Sequence, residues 1–382
     1  MKKFLMTATV PSMIGQFNMN NIRLLLDMGY EVHVACNFED RSVWTEERVR
    51  KFEKQLSDLH VKKVQIEYAR TPYDIPKLIK SYLELKKLIQ KEKYAGLHCH
   101  TPVAGLIARL AAKRARTKTK VIYTAHGFHF YKGAPLLNWL LYYPIEKWMS
   151  RYTDVLITIN KEDYQRAKKK FHAKEIKYVP GVGIDVEKIR SIQVDRQAKR
   201  KELGIAEDDF FLLSVGELNK NKNHEVVIRA LAGLKNPKIK YAICGQGPLK
   251  EYLEELAEKL GVRKQLFLLG FRTDVIEICK SADVFVFPSK REGLSVALME
   301  AMACGLPCVV SNIRGNLDLI VDMRGGLVVN STLSGSYAEA LYKLLDDVCM
   351  IMEFSKYNFE VIKKFSISTV NKKMAQIYLN KS

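Results

Sequence analysis

Acidic residues are scarce in this 382-residue chain: 42 Asp and Glu stand against 62 Lys and Arg, giving a formal charge of +20 and a pI of about 9.5. No Cys-x-x-Cys pair occurs, and the seven Cys are odd in number and sit mostly in apolar runs. A disulfide framework and a thiolate zinc site are thereby excluded, and the thiols read as buried in a reducing compartment. No uninterrupted run of about 18 apolar residues exists, so no transmembrane helix is expected. The amino-terminal apolar run is broken by Thr7, Thr9 and Pro11 and reads as a first strand rather than a signal peptide. Asp-x-Asp is absent too, which leaves a metal-bridged diphosphate without obvious ligands. What remains is 47% hydrophobic and 27% charged, the balance of a globular protein long enough for two or three domains.

The positive excess is uneven. Residues 1–190 carry 35 basic and 19 acidic side chains, whereas 191–382 carry 27 and 23, so an anionic partner is expected against the first half. Short apolar runs alternate with amphipathic segments throughout, the pattern of βαβ units and parallel sheets. Strands are expected near 3–9, 31–36, 62–66, 96–100, 120–125, 154–159 and 176–179, then 210–216, 239–244, 266–269, 283–287, 307–310 and 327–329. Between the two sets, Pro180-Gly181-Val182-Gly183-Ile184-Asp185 reads as a hinge followed by a polar stretch to about 208. The fold class is therefore α/β: two Rossmann-like, doubly wound domains, 1–185 and 186–360, facing a cleft at the carboxyl ends of their strands. Residues 361–382 read as a final helix able to return to the first domain.

The segment from Pro288 to Pro307 carries the most chemistry. A strand ends in a Pro-Ser turn, Gly293 follows and a helix begins, so free amides near 293–296 face a position suited to phosphate. Glu292 precedes that helix and Glu300 lies two turns inside it, separated by roughly 9–12 Å along a helix axis. Each acid could be a cap or a solvated residue, but the strand–turn–helix setting favours one on a sugar and the other on a ribose. A second strand-to-helix passage, Ser214-Val215-Gly216-Glu217-Leu218-Asn219-Lys220-Asn221-Lys222-Asn223-His224, places Lys222 where it can neutralise a departing diphosphate.

With these residues the chain resembles family-4 retaining glycosyltransferases of the GT-B fold, whose second domain carries E-x7-E followed by E-A-M-A-x-G-x-P. The likeness spans the chain through the Pro-Gly-Val-Gly-Ile-Asp linker, Gly245-Gln246-Gly247-Pro248 and Leu269-Gly270-Phe271-Arg272-Thr273-Asp274-Val275. It implies that Glu292 binds sugar hydroxyls, Glu300 the ribose, and the backbone of Gly293, Leu294, Ser295 and Val296 the diphosphate. Gly216, Gly245 and Arg272 fall within the donor site so implied. The family pattern G-R-L-x-x-x-K-G is matched at Lys222, but Glu217 stands in place of Arg and Asn223 in place of Gly. Lys220 or a residue of the first domain is then the candidate for the second positive charge.

In the first domain the loop after the first strand offers a single glycine, Gly15, beside Gln16; the resemblance brings this loop to the transferred sugar and acceptor. His126, at the end of a strand leading into an aromatic, Gly-bounded loop, is implied to contact the sugar, and His129 is a weaker candidate. His98 and His100 read as alternating across a strand, so that only one faces the cleft; no metal is assigned, and His100 is placed near the acceptor. The stretch 136–148, with two Trp and two Tyr, reads mainly as packing, with a lipid headgroup boundary as the rival. Lys168–Lys170 and the cluster at 113–120 suggest attraction to anionic lipid or a lipid-phosphate acceptor.

The expected protein is a metal-independent hexosyl- or N-acetylhexosaminyltransferase with no cofactor beyond its co-substrate. It takes a sugar from a nucleoside diphosphate, read as UDP, to a saccharide or polyprenyl-diphosphate-linked acceptor in capsule or exopolysaccharide synthesis. It is expected in the cytoplasm, peripheral on the inner face of the membrane and in contact with anionic lipid. A nucleotide-sugar 2-epimerase of the same architecture and a non-catalytic nucleic-acid or lipid-binding protein are the alternatives. No nucleic-acid module is recognisable, so nucleic acid is not an expected partner.

Overall fold

The computed structural model describes residues 1–379 except 72 and 331. The chain forms two compact units, Met1–Val182 joined by the segment from Val370, and Gly183–Thr369. The first holds seven parallel strands: β1 (Lys2–Thr7), β2 (Tyr30–Cys36), β3 (Lys62–Gln65), β4 (Gly96–His100), β5 (Lys120–Ala125), β6 (Val155–Thr158) and β7 (Glu175–Tyr178). Their order is β3-β2-β1-β4-β5-β6-β7. The second holds β8 (Phe210–Val215), β9 (Ile239–Cys244), β10 (Leu266–Gly270), β11 (Val284–Phe287), β12 (Cys308–Ser311) and β13 (Gly326–Val329), also parallel, in the order β10-β9-β8-β11-β12-β13.

Seven helices belong to the first half: α1 (Pro11–Phe17), α2 (Met19–Asp27), α3 (Glu46–Asp58), α4 (Ile75–Glu92), α5 (Pro102–Ala115), α6 (Leu136–Met149) and α7 (Lys161–Lys170). In the second half follow α8 (Val186–Ser191), α9 (Arg196–Leu203), α10 (Glu225–Leu234), α11 (Lys250–Lys259), α12 (Val275–Ser281), α13 (Val296–Ala303) and α14 (Asn316–Leu319). Then come α15 (Ser334–Asp346), α16 (Val348–Val361) and α17 (Ile367–Leu379). Helices cover both faces of each sheet, so its inner strands are buried on both sides: every residue of β4, β11 and β12 is buried, the two histidines of β4 included. Two core clusters form in each unit, one per sheet face.

Several expectations need correction. The polar stretch 186–208 is not a plain linker; Asp185 and Asp195 cap α8 and α9 by accepting from Lys188 and Ala198 amides. Between 334 and 361 the chain forms two helices, α15 and α16, because Asp347 caps the second by accepting from the Met350 amide at 2.8 Å. The passage out of the second unit lies at Thr369, inside α17, not at 360. Beyond it Val370, Met374, Ile377 and Tyr378 are buried in a core cluster of the first unit. Among the cysteines, five are buried, Cys304 is half-buried and Cys349 is exposed, so that last thiol departs from the buried reading. No helix among the described residues is long and apolar enough to cross a membrane.

Candidate active site

In the second sheet the chain reverses its direction of winding between β8 and β11, and loops leaving the carboxyl ends there open a crevice. The loop after β8 and the loop after β11 are fastened together across it. The Lys290 amide donates to Asn221 O at 2.8 Å, Asn221 Nδ2 to Arg291 O at 3.1 Å, and Asn223 Nδ2 to Pro288 O at 3.2 Å. Asn219 Oδ1 accepts from the amides of Asn221 and Lys222, both at 3.0 Å, an Asx turn that aims the lysine. Lys222 Nζ then donates to Glu292 Oε1 at 2.7 Å and lies over the Phe287 ring. The two residues singled out from separate motifs are thus ion-paired.

The glycines have steric reasons. A Cβ on Gly245 would stand 1.8 Å from Gly216 O, and one on Gly247 2.5 Å from Leu218 O, so this pair lets β9's loop press against β8's loop. At Gly216 a Cβ would meet the folded-back stem of Lys222 at 3.1 Å. Asn223 takes φ +57°, the left-handed conformation that glycine adopts freely and Asn tolerates. The departure at 223 therefore preserves the backbone path.

At the start of α13, Ser295 is the N-cap, its Oγ accepting from the Leu298 amide at 3.3 Å. The amides of Leu294, Ser295, Val296 and Ala297 donate to no group among the described residues, leaving an anion-seeking helix terminus. Helix geometry begins only at Val296, so Glu292 lies in the preceding turn and the axial rise used to space it from Glu300 does not apply. Its turn is instead braced by Gly315, φ +83°, where a Cβ would reach 2.3 Å from Gly293 O. Glu300 is half-buried, its carboxyl group has no hydrogen-bond or ion-pair partner among the described residues, and burial pushes that carboxyl up to about 7.

Other residues fall differently. Glu217, in the family's Arg position, is exposed. Arg272 is engaged away from Lys222: its guanidinium donates to Asp274 at 2.6 and 2.8 Å and to Glu202 at 2.6 Å, joining α9 to the start of α12. Lys220 and Lys290, with Asn219, His224 and Tyr252, line a cavity of about 400 Å³ beside the stitched loops. His224 escaped the sequence reading; its Nδ1 lies 3.0 Å from Tyr241 Oη, and burial, then the Lys222 charge, depress its pKa to about 3.

In the first unit, Gly15 is not in an open loop. Pro11 starts α1, and a Cβ at Gly15 would stand 2.4 Å from Trp44 Cη2, so the glycine admits the indole; Gln16 is exposed. His126 Nε2 lies 3.0 Å from His100 Nδ1, and burial holds its pKa near 4. The expectation that His98 and His100 point apart fails, since residues two apart share a strand face: their ring centroids are 4.1 Å from each other. His98 bonds Tyr378 Oη at 2.8 Å and Thr124 Oγ1 at 2.7 Å. Thr101, next after His100, takes φ +65°, a strained setting for a β-branched residue. No group of three His, Cys, Asp or Glu among the described residues could hold a metal ion.

Residues 14–188 match the family described as Glycosyltransferase Family 4, and 195–361 the one described as Glycosyl transferases group 1. The chain is 38% identical over 382 residues to the glycosyltransferase EpsD of Bacillus subtilis (strain 168), covering 99% of this chain and 96% of that one. It is 31% identical over 309 residues, 79% of each chain, to the UDP-Gal:alpha-D-GlcNAc-diphosphoundecaprenol alpha-1,3-galactosyltransferase of Escherichia coli. Among solved structures, Anabaena Alr3699/HepE in complex with UDP and glucose superposes with a TM-score of 0.78 at 18% identity, covering 99% of both chains, a likeness of fold.

Proposed function

The chain belongs to glycosyltransferase family 4, with the GT-B fold and a nucleotide-sugar donor, and from that membership we propose that it is a retaining, metal-independent UDP-sugar transferase. Its acceptor is a saccharide carried on a lipid diphosphate, in exopolysaccharide or capsule synthesis at the inner face of the cell membrane. The name of the Escherichia coli relative, which carries a diphosphoundecaprenol-linked saccharide, supports that acceptor class. The observation that carries the reading is the Lys222–Glu292 pair set beside the unpartnered amides of 294–297.

In this reading the amides and Lys222 receive the diphosphate, Glu292 the sugar hydroxyls and Glu300 the ribose. The bond from sugar C1 to the phosphate oxygen breaks as the acceptor oxygen bonds C1 on the same face. The acceptor's proton passes to the departing phosphate oxygen. Negative charge grows on the diphosphate as it leaves, where the ammonium and the positive end of α13 stabilise it most. When the diphosphate binds, Lys222 exchanges part of its contact with Glu292 for phosphate, freeing the carboxylate for hydroxyl groups. His126 and Gly15–Gln16 remain assigned to the sugar and acceptor side.

The test is release of UDP from a panel of UDP-sugars, with and without lipid-diphosphate saccharide acceptors and in excess chelator. Acceptor-dependent release that survives chelation supports the reading. Isomerisation of the donor with no acceptor requirement would instead identify an epimerase.

A further inference from the structure

Helix α6 is inverted relative to an ordinary surface helix. Its solvent-facing row, Leu136, Leu137, Leu140, Leu141, Pro144, Ile145 and Trp148, contains no polar side chain, and its leucines, Ile145 and Trp148 are 39 to 74% exposed. Spacing of three, four and one places all seven on one stripe. The inward side carries the charge: Glu146 is buried, accepts from Arg109 Nη2 at 2.9 Å and from Tyr123 Oη at 3.1 Å, while Arg109 Nε donates to Gly105 O. Turning the helix to bury its leucines would strand the buried Arg109, so the ion pair holds the apolar row outward.

The surroundings of the row identify its occupant. At the carboxyl end, Trp148 meets Tyr152 edge-on at 5.8 Å, Lys113 Nζ lies over the Tyr152 ring, and Arg151 is exposed. Lys132 is exposed near the other end. On α4, whose inner side packs into the same core cluster as that of α6, a second row of Ile75, Ile79 and Leu83 is exposed. Apolar side chains rimmed by aromatic rings and cations, on the half of the chain with 35 basic against 19 acidic residues, match the depth profile of an anionic bilayer surface.

We propose that the outward row of α6, with Lys113 and Arg151 at its rim, is a docking surface for anionic lipid, entering the headgroup boundary without spanning the membrane. This deepens the proposed reading at the acceptor and rests on it for its purpose, but its observation lies outside the donor site. A nucleotide-sugar enzyme held there would meet a lipid-carried acceptor by surface diffusion.

The test is co-sedimentation of the full chain with vesicles of phosphatidylcholine alone and of phosphatidylcholine mixed with phosphatidylglycerol. Wild type is expected to bind the anionic vesicles about tenfold better, less so at high salt. Leu137→Glu with Leu140→Glu should lower that binding at least about tenfold, and Lys113→Glu with Arg151→Glu should erase the preference between vesicles. All these positions are exposed, so melting temperature and the UDP-induced rise in it should match wild type; Leu140→Ala provides a milder variant. No vesicle binding by wild type, binding unaffected by both variants, or a dimer dissolved by the leucine variant in place of vesicle binding would overturn the proposal. A wild type that binds vesicles but shows no UDP-induced shift would fail the donor reading and leave this one standing.

Discussion

The two units share a topology and differ in how they use charge. The first, residues 1–182 with 370–382, carries 36 basic and 17 acidic side chains (+19), whereas the second, with 26 and 25 (+1), holds the Lys222–Glu292 pair and the undonated amides of 294–297. Net charge thus says little about where an anion is gripped. In the second unit the attraction is local, made of peptide amides at one helix terminus and a lysine aimed by an Asx turn. In the first unit burial holds His98 and His126 neutral, Arg109 is buried in its pair with Glu146, and the lysines at 113, 132 and 168–170 lie on the outside. Long-range charge steers and docks; positioned dipoles bind.

The contrast breaks most sharply at Lys222. Lys222→Ala or Glu292→Ala is expected to lower turnover about 100- to 1,000-fold, because each removes a group aimed at developing charge or at the sugar. Steady-state UDP release measures it, and near-normal turnover in either variant would relocate the site. Glu300→Gln comes next, with about a tenfold rise in donor KM, a loss of about 1.4 kcal/mol. That variant also has a stability signature. Glu300 titrates near 7 when folded, against an ordinary carboxyl near 4.5, so the wild type is most favoured below 4.5 and loses stability as pH rises through 7. The Gln variant should therefore melt higher at pH 8, by about 1–2 kcal/mol of stability, with the gap closing toward pH 5.

Asn223 gives a smaller effect. Asn223→Gly keeps the left-handed backbone, whereas Asn223→Val should cost about 1–2 kcal/mol, read by chemical denaturation. The smallest effect sharpens the comparison itself: Lys168→Glu, Lys169→Glu and Lys170→Glu together remove first-unit charge, and donor KM should stay within about twofold at physiological salt. A tenfold change would mean that bulk charge, not the local cluster, sets donor affinity.

Parallel strands buried on both faces announce themselves as apolar runs, which made β8, β11 and β12 legible, whereas the polar edge strands β3 and β7 were legible only from their place in the alternation of strand and helix. Helices α8 and α9 were not, because each buries only two residues and the rest of their surface is polar. Glu292, Lys222 and Glu300 could be singled out as candidates because motif spacing survives in one dimension. The fastening of Asn221 to Lys290 and Arg291 was not legible, since bonds onto backbone carbonyls between loops some 70 residues apart leave no sequence spacing to read. Gly15 and Gly245 were singled out for the sugar side and the donor site, and what the sequence did not show is that they admit a ring and a backbone carbonyl. In α6 hydropathy marked the apolar run, but not that its one acid turns inward and its leucines outward.

A structure of the full chain grown with UDP and a chelator decides where the diphosphate is held. Its phosphate oxygens are expected within hydrogen-bond reach of amides among 294–297 and of Lys222 Nζ, with the ribose on Glu300. Phosphates bound at the basic surface of the first unit, or a UDP site that fills only when a divalent cation is restored, would contradict that placement.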